Sequence, residues 1–381
     1  MLVTMRLLAT GYSVRQMACS GARASHEIIA ADAFGDIDTR ECSYAFTKLN
    51  FPLNEREIKH IEMISENVDG IIVGSGCETA KLSEKIEKKI IGNPPDIMKE
   101  AANKEKLSEY LDDLGIPHPR TYTKSDISSS ARMRFPLVAK PIYGGGGTSN
   151  ILCRNELELR HALKHKNIIF QEFVKGMPAS VSVISTGKKA ISICVNEQLI
   201  GLKSLNCTHQ FVYCGNISPL KTKFEREMCD IAEIIVLELG LIGSNGVDFI
   251  ITDDGFFVIE VNPRFQGSLD TVELCTGLNV VDAHLKACGG ELIEGNIKLR
   301  SVDCHDLHYA ARLIIFAERN CIVAKQMKKK YDCKFIADIP PRGRVLRRGE
   351  PLASGIGVGN SREDAFEAAM DAVKSVKRCV I

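Results

Sequence analysis

The stretch "NGVDFIITDDGFFVIEVNPRF" (residues 245–265) decides how the chain is read. Its apolar run carries an acid at each end, Asp248 early and Glu260 late, with Asn262 two residues further on. Val247, Phe249, Ile250 and Ile251 read as a buried strand. Asp253-Asp254-Gly255 is a hairpin signal, and Phe256, Phe257, Val258 and Ile259 read as the returning strand. Folding this hairpin brings Asp248 back alongside Glu260 and Asn262. Strand side chains repeat every two residues, so Glu260 and Asn262 share a face. One reading makes these groups solvated strand-edge acids and turn formers. The other makes them a Mg2+ or Mn2+ site, because hard cations take oxygen ligands and Mg2+ usually sits on one or two carboxylates plus substrate phosphates.

The rest of the chain bears on that choice. With 381 residues it exceeds one compact core, so two or three domains are expected. Charged residues make up 25% and hydrophobic ones 45%, an ordinary globular composition. The formal net charge is +1, which gives no basic field for nucleic acid. No apolar stretch is long enough to span a bilayer. The opening "MLVTMRLLATGYSVRQMACSG" looks leader-like, but Arg6, Gly11, Tyr12 and Arg15 interrupt it, and it reads better as a first strand and turn. The 14 cysteines are scattered without a C-x-x-C pair, which suggests reduced thiols and a cytoplasmic setting.

The first 95 or so residues alternate strand and helix: strands in "VTMRLLATG", "HEIIAADAFG", "VDGIIVGSG" (68–76) and "KKIIGNPP" (88–95), with a helix in "SVRQMACSGARA". This is βαβ logic and implies an open parallel sheet. Its glycines do not form G-x-G-x-x-G after the first strand and read as tight turns, so a nicotinamide site is poorly supported. A helix is expected within "NPPDIMKEAANKEKLSEYLDDLGIPHP", with Leu107, Tyr110, Leu111 and Leu114 on one face and Gly115 and Pro117 as the stop. "FPLVAKPIYGGGGTSNILC" reads as strand, Lys140, glycine loop and strand, and "NIIFQEFVKGMPASVSVIS" resumes strand structure. Residues 224–242 read as helix before the opening hairpin. Beyond residue 300 come a strand in "HYAARLIIFAE", a short strand near "GRVLRR" and a last helix capped by Ser361.

Four consecutive glycines, Gly144, Gly145, Gly146 and Gly147, followed by Thr148, are entropically costly. They suit a loop whose N–H groups approach triphosphate oxygens and release them, or simply a flexible hairpin tip. Lys140 precedes the glycines and no G-K-[ST] follows, so this is not a P-loop.

Lys104, Lys140 with its glycine loop, "FQEFVKG" and the D…E-x-N pattern come in an order that resembles the ATP-grasp superfamily over roughly residues 90–300. The resemblance implies a two-subdomain ATP-binding fold. Lys104 and Lys140 would hold phosphates, and residues 144–148 would close over them. Gln171, Glu172, Phe173 and Val174 would form the adenine-reading hinge, and Asp248, Glu260 and Asn262 would hold Mg2+ or Mn2+. Arg264 would steady acyl-phosphate oxygens. Many members carry a ribose-binding acid after the hinge glycine, whereas "GMPAS" (176–180) here has none. "EVNPRFQGSLDTVELCTGLNVVDAHL" and "PPRGRVLRRGEPLASGIGVGNSREDAFEAAMDAVKSV" resemble biotin carboxylase and point to the predicted carboligase branch related to it.

The expected layout is an α/β and α+β protein: an N-terminal open parallel sheet at 1–98, an ATP-grasp domain at 99–300 with its lid subdomain at about 120–190, and a biotin-carboxylase-like C-terminal domain at 301–381. The expected activity is ATP-dependent ligation of a carboxylate to an amine, a thiol or a similar nucleophile, with small-molecule substrates, a homodimer as a possible assembly, and neither nucleic acid nor membrane as partner. Two alternatives stay open. One is a biotin-dependent type of carboxylase acting on bicarbonate, against which stand Ser268, at the position of that enzyme's base, and the lack of a biotin-attachment motif, while Gln266 is in place. The other is a nucleotide-binding regulator without turnover.

Overall fold

The computed structural model describes residues 4–129, 133–292, 308–327, 330–331 and 334–381. The N-terminal part runs β1 (Arg6–Thr10), α1 (Arg15–Arg23), β2 (Glu27–Asp32), α2 (Ile37–Glu41), β3 (Ala45–Lys48), α3 (Glu55–Ser65), β4 (Gly70–Val73) and α4 (Glu84–Glu87). Its four strands are all parallel, in the order β3-β2-β1-β4. Alternation along them is apolar on both faces. Leu7, Ala9, Ile28 and Ala30 face one core, and Leu8, Ala31, Ile71 and Val73 face the other. A parallel sheet covered on both sides requires this pattern. Strand β3 was not anticipated. The expected strand at 88–95 is reduced to a single bridge, Ile90 to Ile71, because Pro94-Pro95 start a helix immediately.

The thiol expectation is corrected at one pair. Cys19 of α1 and Cys42, just past α2, are joined in a disulfide, their Cα atoms 4.9 Å apart where the two helices lie side by side. Ten further described cysteines are free.

The expected single helix near residue 100 is two helices, α5 (Pro95–Ala101) and α6 (Lys104–Asp113). They break because Asn103 turns extended and caps α6, accepting hydrogen bonds from the Glu105 and Lys106 N–H groups. Leu107 and Leu111 are buried, but Leu114 lies past the helix end and is exposed, so the expected apolar face is shorter. Next come β5 (Thr121–Tyr122), α7 (Lys124–Ser129), β6 (Leu137–Pro141), β7 (Ile151–Cys153), α8 (Glu156–Ala162) and β8 (Ile168–Glu172). Their strands form a separate antiparallel sheet in the order β5-β8-β6-β7, with a core of its own around Leu137, Leu159 and Phe170.

The remaining elements are β9 (Met177–Thr186), β10 (Ala190–Ile200), β11 (Tyr213–Ser218), α9 (Glu225–Glu238), β12 (Ile242–Ile251), β13 (Phe256–Asn262), α10 (Leu269–Thr276), α11 (Val280–Cys288), β14 (Tyr309–Phe316), β15 (Cys321–Ile322), β16 (Lys330–Tyr331), β17 (Lys334–Ala337), β18 (Val345–Leu346), β19 (Pro351–Gly359) and α12 (Arg362–Val376). Helix α9 stops earlier than the expected 242, since Gly240 adopts a left-handed turn and β12 begins at Ile242. Nine strands make one antiparallel sheet, ordered β13-β12-β9-β10-β11-β14-β19-β17-β16. The β11–β14 pairing carries that sheet from the hairpin of residues 245–265 into the C-terminal segment. The boundary expected at residue 300 lies outside the described residues. Ser361 caps α12 as expected, accepting from the Asp364 N–H.

A buried ionic network ties the parts together. Arg15 of α1 meets Asp270 of α10 and, at 2.8 Å, Asp338 just after β17, and Arg312 of β14 meets Asp338 at 2.6 Å. Among the described residues no helix is long and apolar enough to cross a membrane.

Candidate active site

Strand β12 pairs with β13 so that Asp248 lies opposite Glu260 and Gly246 opposite Asn262. The ladder shifts between Asp248 and Phe249, a bulge that leaves Ile259 without an opposite residue. Without it, strand parity would put Val258 and Glu260 on one face. With it, Phe256, Val258 and Val261 stay in the core while Glu260 and Asn262 turn to the cleft beside Asp248.

That cleft has a volume of about 710 Å3 and reaches from the C-terminal ends of the parallel strands to β14 and β19. Lys140, Gly144–Thr148, Asp248, Glu260, Asn262 and Arg264 all line it. Lys104, the first residue of α6, sends its buried Nζ to the Gly144 carbonyl at 2.7 Å and lies 3.6 Å from Glu260 Oε2. Lys140 is buried on β6 and donates to Gln171 Oε1 at 2.6 Å. Burial pushes the Lys140 ammonium down to about 8; Glu260 and Asp248 act against this shift and Lys104 adds to it. Burial, then the charge of Glu260, pushes the Asp248 carboxyl up to about 7. Gln266 Nε2 approaches Asp248 Oδ1 at 3.4 Å, and its own Oε1 accepts from Ser182 at 2.9 Å.

This donor set fits a hard divalent cation. Two enclosed carboxylates that repel one another and a neighbouring amide oxygen are all oxygen donors. Among the described residues no group of three or more His, Cys, Asp or Glu side chains could hold a metal, so the asparagine and substrate oxygens would complete this shell.

The glycine loop rests on the residues before β11. The Gly146 carbonyl accepts from the Tyr213 N–H at 3.1 Å. Gly147 has φ +70°, and a Cβ there would lie 1.8 Å from the Phe211 carbonyl oxygen, so a side chain cannot fit. A Cβ on Gly145 would lie 3.4 Å from Arg264 Nη2, which shows how far the loop reaches toward the acids. Thr148 is exposed at the loop's far end.

The hinge residues are not among those lining the cleft. Gln171 is linked to it through Lys140. The Glu172 N–H donates to Arg120 O and the Phe173 N–H to Pro136 O, so these two hinge amides are already engaged. Glu172 Oε1 accepts from the Tyr122 hydroxyl, Phe173 is exposed with its ring 6.5 Å from that of Phe211, and Val174 is half-buried.

Arg264 is held on three sides. Nε is paired with Glu78, Nη1 donates to Phe265 O and Nη2 to Asn262 Oδ1 at 3.0 Å. Glu78 comes from the Gly-rich turn after β4, where the glycine pattern by itself points only to a turn. Arg312 was also missed. Its Nη2 is fixed by Asp338 and its Nη1 by Gly267 O, while its buried Nε has no partner and the residue lines the cleft. The signal was a lone arginine inside the apolar run "YAARLIIF", the same irregularity that exposed Asp248.

Residues 101–268 match the family model described as the ATP-grasp domain. The chain therefore carries an ATP-grasp domain, and its fold is that of the ATP-grasp superfamily. It is 29% identical over 321 residues to an uncharacterized protein of Methanocaldococcus jannaschii, covering 81% of this chain and 75% of that one. It is 28% identical over 253 residues to the carbamoyl phosphate synthase large chain of Clostridium beijerinckii, covering 62% of this chain but only 23% of that much longer one. Among solved structures, the biotin carboxylase domain of Hydrogenobacter thermophilus 2-oxoglutarate carboxylase, crystallised with MgADP and bicarbonate, superposes with a TM-score of 0.75 at 15% identity, covering 100% of this chain and 91% of that one. The L-amino acid ligase of Bacillus licheniformis gives 0.70 at 17% identity, covering 100% and 98%.

Proposed function

We propose that the protein is an ATP-dependent ligase that activates a carboxylate as an acyl phosphate and joins it to an amine or a similar nucleophile, releasing ADP and phosphate. The observation that carries this reading is the meeting of Lys140 and the glycine loop with Asp248, Glu260 and Asn262 in one cleft, with Lys104 reaching Glu260 and the Gly144 carbonyl. Cations beside an acidic, oxygen-donor cluster suit a nucleoside triphosphate and its metal ions rather than a neutral ligand. The relatives named above include enzymes of this chemistry.

A divalent ion held by Asp248, Glu260 and Asn262 would neutralise phosphate charge during transfer. Lys104 and Lys140 bind the phosphates. A substrate carboxylate oxygen attacks the γ-phosphorus of ATP, and the bond to the ADP oxygen breaks. Arg312 and Arg264, which both line the cleft, orient that carboxylate. The amine then attacks the acyl carbon, loses its proton, and phosphate leaves with the former carboxylate oxygen. Residues 144–148 exclude water from the anhydride meanwhile. Adenine at the hinge would be read by carbonyls and by the Val174 N–H, since the Glu172 and Phe173 amides are engaged within the lid sheet.

An organic acid is favoured over bicarbonate. It is already ionised at neutral pH and needs no base, and Ser268 faces the Ser182 hydroxyl at 3.3 Å where a carboxylase base would stand. The test is isotopic. With 18O in the carboxylate, one label appears in the released phosphate. Formation of AMP, or turnover only with bicarbonate and free biotin, overturns the reading.

A further inference from the structure

The parallel sheet has a topological switch point. From β1 the chain moves to β2 and β3 on one side, then crosses to β4 on the other. The loops leaving β1 and β4 meet there, and ligands of open α/β sheets bind beyond the carboxyl ends of the strands at such switch points. The crevice is tightly built. Tyr12 N–H donates to Ser75 O at 2.6 Å, and a Cβ on Gly11 would sit 3.0 Å from Gly74 Cα.

Three aromatic side chains leave the ends of three adjacent strands into this crevice: Tyr12 after β1, Phe34 after β2 and Phe51 after β3. Tyr12 meets Phe34 edge to face at 5.0 Å and Phe51 at 5.7 Å. Gly76, at φ +89°, lets the β4 loop lie against Phe51, since a Cβ there would be 3.1 Å from its ring. The trio is not sealed as a core. Tyr12 remains 47% exposed, and all three rings line the cleft that holds the acids. A large apolar surface left open inside a cavity is an informative exception to burial.

Polar groups line the same cleft. Gln16, in the first turn of α1, donates to the Gly267 carbonyl, and Arg312 donates to the same oxygen. Arg312 lines the same cleft as the aromatic trio, and its Nε is buried there without a partner. Arg344, a cation beside the rings, is committed: it bonds Asp36 at 2.9 Å and lies 4.9 Å over Phe34. Asp36 and Glu78 border this end of the cleft, which disfavours a phosphorylated body.

We infer that the acid activated by this protein carries a planar aromatic ring, with the ring against Tyr12, Phe34 and Phe51 and the carboxylate toward Arg312 in the same cleft. This deepens the ligase reading and rests on it for the fate of the acid, but not for its binding. An edge-to-face ring contact discriminates a phenyl group from a saturated ring of similar size, because only the aromatic ring has a positive edge and a negative face.

The probes are 3-phenylpropanoate and 3-cyclohexylpropanoate, titrated into the full chain by calorimetry without nucleotide. The phenyl acid is expected to bind about fivefold more tightly, and Tyr12→Leu and Phe34→Leu to remove the difference while circular dichroism stays that of the parent. Intermolecular NOEs from the probe ring to aromatic protons of the unsubstituted protein test the same contact without any variant. Equal affinities, a preference that survives both substitutions, or NOEs to other sites overturn the inference. ADP release in parallel samples with ATP separates the two proposals. A ring preference without turnover of any acid supports the subsite and sinks the ligase reading; turnover of acids without ring preference does the reverse.

Discussion

Arg264 and Glu78 form a nearly buried ion pair across 186 residues of sequence, one from the strand end that follows Asn262 and the other from the turn after β4. The pair fixes the guanidinium beside the acids and ties the switch-point crevice to them. Removing one partner of such a pair leaves a buried charge uncompensated. Glu78→Gln keeps the shape and loses the charge. It should lower kcat by roughly 10- to 100-fold, one to two factors of ten in the barrier, with ATP affinity changed less than about twofold. Equal losses in both would mean that Glu78 supports the fold rather than the placement of Arg264.

The raised Asp248 carboxyl marks a buried site whose two acids also repel one another. Asp248→Asn should therefore stabilise the metal-free protein at pH 8, by about 1 kcal/mol or more, while abolishing turnover. Glu260→Gln should abolish turnover in the same way. Denaturant unfolding in EDTA and an ADP assay read the two effects. Activity surviving either change within about tenfold, or 1.4 kcal/mol of barrier, would remove these residues from the metal site.

Gly147 is the loop position where a side chain has no room, 1.8 Å from a carbonyl. Gly147→Ala should lift the loop from Phe211 and Tyr213. Hydrogen exchange across 144–150 should quicken in the nucleotide-bound state, and ATP hydrolysis uncoupled from product should rise several-fold as water enters. Unchanged exchange would show that the loop does not seat here during turnover.

Stability should depend on pH through His284. Ser244 N–H donates to its Nδ1 at 2.8 Å, so Nε2 carries the proton and donates to Ile91 O at 2.8 Å. Burial pushes the imidazolium down to about 4, against an ordinary 6.5. The native state then binds fewer protons than the unfolded chain between those values. The contribution is complete above pH 6.5 and is lost as pH falls through 4, about 3 kcal/mol in all. His284→Gln should flatten that part of the stability curve in urea unfolding, measured from pH 4 to 7.

Much of the site could be read because charges inside apolar strands stand out. Asp248, Glu260 and Asn262 interrupt a hairpin that otherwise wants to be core, and four glycines beside Lys140 have few structural excuses. The bulge at Ile259 could not be read, since nothing in "FVIEVN" distinguishes a ladder shift from plain alternation. Glu78 stayed hidden because its meaning lies in a partner 186 residues away. The helix break at Asn103 was legible in principle, as a capping residue placed before Lys104, but the apolar spacing on either side masked it. Strand β3 is four residues long and half exposed, below what periodicity can register.

The two sheets of the nucleotide site give the two lysines different mechanical standing. Lys104 belongs to the frame: its helix packs on the core beneath β12 and β13. Lys140 rides on the small four-stranded sheet, whose core is separate. Any swing of that sheet carries Lys140 and the loop as one moving jaw and leaves Lys104 behind with the acids as the fixed one. The distance between the two ammonium groups is then a built-in gauge of opening, and a spin label in the lid sheet paired with one on α9 would follow it turnover by turnover.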